Sequence, residues 1–222
     1  MRVLRADLHT HTRFSRDSLT SPEDYVAACL KKGINCVAVT DHNTIQGSLA
    51  VQKIAPFSVI ISEEVRTSEG EIIGYFLSQE IPRGLTPEET VRRIRDQGGL
   101  VAIPHPFDRF RGSALRREAV ERIAPLADII EVLNARITLK RHNEEALRLA
   151  RQHGLAMSAG SDGHFPRELG AAYVEIEEFS GPQDFLAALR QGRVMGHLSS
   201  PLVHLVSTWA KIRRRLGQPT TA

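Results

Sequence analysis

Apolar positions along the chain form short runs separated by stretches with a helical repeat, and the two kinds alternate almost from end to end. Val3 to Leu8 reads as a strand. Ser21-Pro22-Glu23-Asp24 then opens a helix with a serine cap and a first-turn proline, and this helix runs from Tyr25 to Lys32 and stops at Gly33. Asn35 to Thr40 is continuously apolar, as in a strand covered on both faces. A helix over about Thr44 to Ile54 and a strand over Phe57 to Ser62 follow. Gly70 to Leu77 forms another strand, and the short connection from Thr67 to Gly70 predicts a hairpin. Beyond it the pattern predicts a helix capped by Thr86-Pro87, a strand from Leu100 to Pro104, a helix from Ser113 to Ile123 and a strand from Asp128 to Leu133. A long helix from Thr138 to His153, strands at Ala156 to Ala159 and Ala172 to Ile176, the helix Pro182 to Arg190 and a short strand at Val194 to His197 complete it.

Strand and helix alternating with short connections imply a parallel barrel or a doubly wound sheet. Length is compatible with one domain: 222 residues, 41% of them apolar. We read residues 1–200 as that domain and 201–222 as a basic C-terminal helix and tail. No apolar run approaches the roughly 18 residues of a membrane span, and the start of the chain carries Arg2, Arg5 and Asp7 instead of an export signal, so the expected location is cytoplasmic. Cys29 and Cys36 sit among apolar neighbours and read as buried free thiols.

The formal charge of +3 is unevenly placed. After Asp184 there are no acidic residues, whereas Arg190, Arg193, Lys211, Arg213, Arg214 and Arg215 lie there. Leu205, Trp209, Ile212 and Leu216 recur at helical spacing, so the tail reads as an amphipathic helix with an outer basic face. Such a face is either solvated or a weak contact for nucleic acid.

The positions of the polar residues decide between the two architectures. His9 and His11 close the first strand, Asp41-His42 the second and Glu63-Glu64 the third. His105, Asn134, and the pair Asp162 and His164 follow later strands. A barrel gathers all those carboxyl ends on one face, whereas an open sheet spreads them along an edge. The expected fold is therefore a (βα) barrel of seven strands, of the α/β class. Residues i and i+2 of an extended chain face the same way, so His9 and His11 can meet one ion. Together with His42, His105, His164, Asp7, Asp17, Asp41, Glu64 and Asp162 they exceed what one four-coordinate ion needs, and the mixture of imidazole and carboxylate suits zinc, manganese or iron. His142, His153 and His204 read as structural or surface residues, and His197 as an outlying histidine near the site.

Asp7-Leu8-His9-Thr10-His11-Thr12, Thr40-Asp41-His42-Asn43, the Glu64 segment, Ile103-Pro104-His105-Pro106 and Gly160-Ser161-Asp162-Gly163-His164 resemble, in order and spacing, the successive motifs of the PHP (polymerase and histidinol phosphatase) superfamily. The stretch from Glu131 onward is similar to that of small stand-alone members. The resemblance implies a distorted seven-stranded barrel with two or three divalent ions. It implies that His9, His11, Glu64 and Asp162 hold one ion, that Glu64 bridges to a second bound by His105, and that Asp17, His42 and His164 hold a third. Asp17 and Asn134 stand where trinuclear members carry histidines. Asn134 is accordingly expected as a weak ligand or as one replaced by water, and Asp7 and Asp41 as residues that orient imidazoles.

The chemistry so implied is hydrolysis of a phosphomonoester or phosphodiester by a metal-activated water, with His9, His11, Glu64, Asp162 and His164 as catalytic residues. Arg13, Arg16, Arg109, Arg111 and Arg136 lie in or beside the active-face loops. Of these, Arg13, Arg109, Arg111 and Arg136 are the expected phosphate contacts. The expected partner is a small phosphorylated substrate or a nucleic-acid end. A metallohydrolase of the amidohydrolase type is one alternative, although no lysine stands at a strand end. The other is a non-catalytic metal-stabilised module docking nucleic acid or a polymerase.

Overall fold

A computed structural model describes residues 3–108 and 112–200; Arg109, Phe110, Arg111 and the basic tail at 201–222 lie outside the described residues. The strands are β1 (Val3–Thr10), β2 (Cys36–Val39), β3 (Ser58–Thr67), β4 (Gly70–Tyr75), β5 (Leu100–Ile103), β6 (Ile129–Asn134), β7 (Ala156–Gly160), β8 (Ala172–Glu177) and β9 (Arg193–Gly196). The helices are α1 (Pro22–Lys32), α2 (Gln46–Gln52), α3 (Pro87–Arg95), α4 (Arg117–Ile123), α5 (Lys140–His153) and α6 (Pro182–Gln191). The strands form one sheet in the order β7-β6-β5-β4-β3-β2-β1-β8-β9. It curls into a nearly closed barrel, because β7 comes round against β1: Asp162 N donates to His9 O at 2.7 Å and His11 N to Gly163 O at 2.9 Å.

Parallel pairing joins β1, β2 and β3, and again β5, β6 and β7. The distortion comes from the antiparallel strands. β4 pairs with both β3 and β5, and outside β1 the strand β8 pairs antiparallel with β1 and β9 antiparallel with β8. β3 is longer than its apolar run predicts. After pairing with β2 through Ile61 it continues as the hairpin with β4, so Glu64 lies inside a strand at the point where β2 ends.

Helix starts follow local chemistry. Ser21 accepts from Asp24 N and Thr86 from Glu89 N, each satisfying an amide that the first turn leaves unpaired. α1 ends where Gly33 takes a left-handed conformation. Two larger apolar clusters fill the fold. One holds Leu4, Leu8, Ile60, Ile73, Tyr75, Ile129 and Phe185; the other lies between the sheet and helices α3, α4 and α5. Cys29 and Cys36 are buried and free. No described helix is long and apolar enough to cross a membrane.

Candidate metal centre

β1 delivers His9 and His11 to one side of the chain, and their rings lie 5.2 Å apart. The stretch after β2 brings His42 to within 4.7 Å of His11, and the loop after β7 brings His164 to within 4.3 Å of it. His105, just past β5, lies 5.4 Å from His9. Glu64 sits at the middle. Its Oε2 is 3.6 Å from both His9 Nε2 and His11 Nε2 and 3.0 Å from His42 Nδ1, while its Oε1 is 2.8 Å from His105 Nε2. Asp162 Oδ1 reaches His11 Nε2 at 3.3 Å and His9 Nε2 at 3.8 Å. Asp17 faces the other end of the cluster, 3.2 Å from His164 Nε2 and 3.5 Å from His42 Nε2.

Sequence reasoning missed two carboxylates. Glu71, on β4, has Oε1 3.8 Å from His42 Nδ1 and Oε2 3.9 Å from His105 Nε2, and it forms a ligand-sized group with His42 and Glu64. Glu131, on β6, lies behind the histidines, with Oε1 3.1 Å from His9 Nδ1 and Oε2 accepting from His105 N at 2.6 Å. Each is a lone acid in an otherwise apolar buried strand, GEIIGY and IIEVLN, and that was the available signal.

The other expected residues are placed as follows. Asn134 Nδ2 donates to Glu131 Oε2 at 3.0 Å and Asp162 Oδ2 at 3.1 Å, while its Oδ1 accepts from Arg136 N at 2.9 Å. It therefore turns N–H groups, not a lone pair, toward the carboxylates. Arg13 is exposed on the loop after β1, as is Arg16. Arg136 is only 3% exposed, packed behind His164 against Asp162 O and with its Nε 3.5 Å from Glu168 Oε1. Asp7 accepts from Ser161 N and Gly170 N and so shapes the loop after β7. Asp41 accepts from Thr12 and from Ser15, whose Oγ lies 3.2 Å from His11 Nδ1. His197 is exposed and stands outside the convergent groups. His142 is buried beside Asp108 at 3.7 Å.

Carboxylates and imidazoles in the cluster shift one another: against burial, Glu64 and Asp17 raise His42 well above its ordinary value. Burial works against charge throughout, yet the His9 and His42 imidazoles hold the Glu64 carboxyl well below its usual range. Burial likewise opposes ionisation of Asp17, and His164 and His42 outweigh it. Burial, with His164 next, pushes His11 down to about 3, so that ring is neutral. An ionised carboxylate and a neutral imidazole are the forms that bind a metal. Against burial, Glu131, Asp162 and Glu64 raise His9 well above its ordinary value. Burial alone lifts Asp7 and Asp41 to about 6 despite their hydrogen bonds.

The donor set fits divalent cations. Buried polar atoms of His9 Nε2, His11 Nε2, Glu64 Oε2 and Glu71 Oε2 make no hydrogen bond, although buried polar groups are ordinarily paired. Grouped by reach, the donors divide into His9, His11 and Glu64; His9, His105 and Asp162; His42, Glu64 and Glu71; and His11, His42 and His164.

The PHP domain model matches residues 7–98 and a PHP-associated model matches residues 140–194. The chain is also 42% identical over 146 residues to an uncharacterized protein of Methanocaldococcus jannaschii, a match spanning 60% of this chain and 82% of that one. The chain belongs to the PHP superfamily. A second uncharacterized protein of the same archaeon is 34% identical over 198 residues, covering 84% of this chain and 79% of its own length. Among solved structures, this PHP chain is similar to a two-domain protein of Bacteroides vulgatus containing a predicted PHP-like metal-dependent phosphoesterase. The TM-score is 0.72 at 20% identity, over 88% of this chain and 65% of that protein. It is also similar, with TM-score 0.63 and 15% identity, to Endonuclease Q in complex with a duplex carrying an abasic lesion, over 86% of this chain and 57% of that one. At these identities the two likenesses show the fold, which is the distorted barrel expected from the motifs.

Proposed function

We propose that this chain is a metal-dependent phosphoesterase that hydrolyses a phosphomonoester or phosphodiester with two or three divalent ions, zinc, manganese or iron. The observation that carries this reading is the position of Glu64, whose two carboxylate oxygens face different sets of histidines. One carboxylate so placed can be shared by two cations.

His9, His11, Glu64 and Asp162 would hold the first ion. Glu64, His105 and Glu71 would hold the second, and Asp17, His42 and His164 the third. Bound there, the ions supply Lewis-acid charge for the phosphoryl oxygens and lower the pKa of a water. The chain's own residues orient and exclude. Ser18 and Thr20 donate to His164 O and so tie the loop after β1 to the loop after β7. Burial of His11, Glu64, His105 and Asp162 keeps bulk water from competing for the ligands. Arg13, Arg109 and Arg111 are proposed to contact a phosphate of the substrate. Arg136 contributes positive charge behind His164. The described lysines, Lys31, Lys32, Lys53 and Lys140, are exposed and distant in sequence from every ligand segment, which argues against an amidohydrolase-type lysine bridge.

The test is a screen of chelated and reloaded protein, with Mn, Zn or Fe, against nucleotides, short oligonucleotides and sugar phosphates, alongside metal content. Turnover should require reloading and disappear in His42→Ala and Asp162→Asn. Full activity in both variants would sink the mechanism.

A further inference from the structure

Asn134 and Glu131 have no ligand role in the scheme above, yet they touch residues assigned to two different ions. We propose that they form a polar clamp of positioning residues that sets His9, Asp162 and His105 at their working separations, Asn134 acting as a donor to carboxylates and not as a ligand; this rests on the metal-centre reading above.

Glu131 spans two ligands with its two oxygens. Oε1 lies 3.1 Å from His9 Nδ1, which fixes the ring so that Nε2 faces Glu64 and Asp162. Oε2 accepts from the backbone N of His105 at 2.6 Å. That contact falls at a strained place, because His105 has φ of 27°, where a residue with a Cβ persists only if its surroundings hold it. Asp162, the third member, is also left-handed with φ of 51°. Asn134 Nδ2 then joins the Glu131 carboxylate to that of Asp162, at 3.0 and 3.1 Å. An amide NH₂ has two donor hydrogens, so this one side chain can bridge an oxygen of each carboxylate and offset their mutual repulsion.

Asn134 is itself held from several sides. Its Oδ1 accepts from Arg136 N, its backbone N donates to Asn143 Oδ1 at 3.2 Å, and its O accepts from Asn143 Nδ2 at 3.4 Å. With Oδ1 engaged by the backbone, the amide is fixed with its nitrogen toward the carboxylates. A ligand would need the opposite orientation. A carboxylate behind a ligating imidazole and a donor behind a ligating carboxylate are the outer contacts that orient metal ligands.

The experiment compares wild type with Glu131→Gln, Asn134→Leu and the double variant by stepwise Mn²⁺ titration, read by calorimetry and by bound-manganese stoichiometry, and by ¹⁵N NMR of the histidine rings in metal-free protein. The clamp predicts that each single variant keeps the wild-type stoichiometry. It predicts about 10–100-fold weaker affinity for the ions at both the His9 and the His105 side. The double variant should be little worse than the singles, and the ¹⁵N signals of the His9 ring should shift in Glu131→Gln, which loses the charged partner of Nδ1. Unchanged affinities overturn it. So does loss of one whole equivalent in Asn134→Leu with the remaining affinity intact, which would make Asn134 a ligand. Should Asn134→Leu fail to fold, Asn134→Ser carries the same test. If wild type itself binds no metal, the metal-centre reading fails, and the His9 ring ¹⁵N signals then decide the clamp alone: no difference between wild type and Glu131→Gln overturns it.

Discussion

Gly160→Ala is the most direct probe of how the barrel brings its ligands together. Gly160 ends β7 opposite Asn134 and lies against β1 at His9. Its backbone is not in the left-handed region, so alanine meets no conformational barrier and the effect is one of space. An added Cβ would meet His9 Cβ most closely and stand 2.7 Å from His9 N and 2.9 Å from His9 Cα, whereas ordinary contact begins at 3.4 Å. The obstacles are backbone atoms and the Cβ fixed to them, which no rotamer change can clear. β1 and β7 must therefore separate by about 0.7 Å or more, against the hydrogen bond from Asp162 N to His9 O at 2.7 Å. Overpacking of this kind costs about 1–3 kcal/mol. For a chain of this size that is a fall in Tm of roughly 2–12 °C. Because the shift parts His9 from Asp162, two proposed ligands of one ion, turnover should fall by up to about a hundredfold. Differential scanning calorimetry and Mn²⁺-dependent phosphoesterase assays measure the two effects. Gly181→Ala is the control: its φ is 176°, nothing lies within 4 Å of its Cβ, and its stability should change by less than about 1 kcal/mol. A Gly160→Ala protein with wild-type Tm and turnover would refute the reasoning.

The remaining predictions concern charge and metal. Burial raises Glu63, which faces away toward Ile81 N, from 4.5 to about 8. A raised carboxyl favours the folded state most below its unfolded pKa, and that contribution is lost as pH rises from 4.5 through 8. Glu63→Gln should thus match wild type near the acid end and exceed it by up to roughly 5 kcal/mol above pH 8, read by urea melts across pH; a gap that does not widen with pH contradicts this. Divalent ions at about a hundred times their Kd should stabilise the protein by about 2.7 kcal/mol, so chelation should lower Tm by several degrees, and an unchanged Tm would count against binding to the folded state. His42→Ala and Asp162→Asn should lower turnover by more than the ~10–100-fold usual for residues outside the ligand set, and a smaller loss would move them out of it.

How much of this was legible beforehand follows from which interactions are local. Strand and helix positions came from periodicity, and the main departures have physical causes. β3 runs on past Ser62 because its partner changes from β2 to β4, and α4 begins at Arg117 instead of Ser113, after a segment whose amides are met elsewhere, as when Arg116 N donates to Glu69 O. The histidines at strand ends were visible because a barrel puts all such ends on one face. Glu71 and Glu131 were not singled out, since an acid in an apolar strand has no meaning until the facing strand is known.

By itself, then, the sequence determined the alternation of elements, the family through its ordered motifs, and the pair His9 and His11, because those depend on neighbours a few residues apart. Tertiary structure decided which residues come together. Glu131 meets His9 across 122 residues, and Asn134 meets Asp162 across 28. Arg136 is buried behind His164 by the closure of β6 on β7. Such contacts exist only once the barrel has closed, since hydrogen bonds between side chains depend on distances of a few tenths of an ångström that no spacing along the chain encodes.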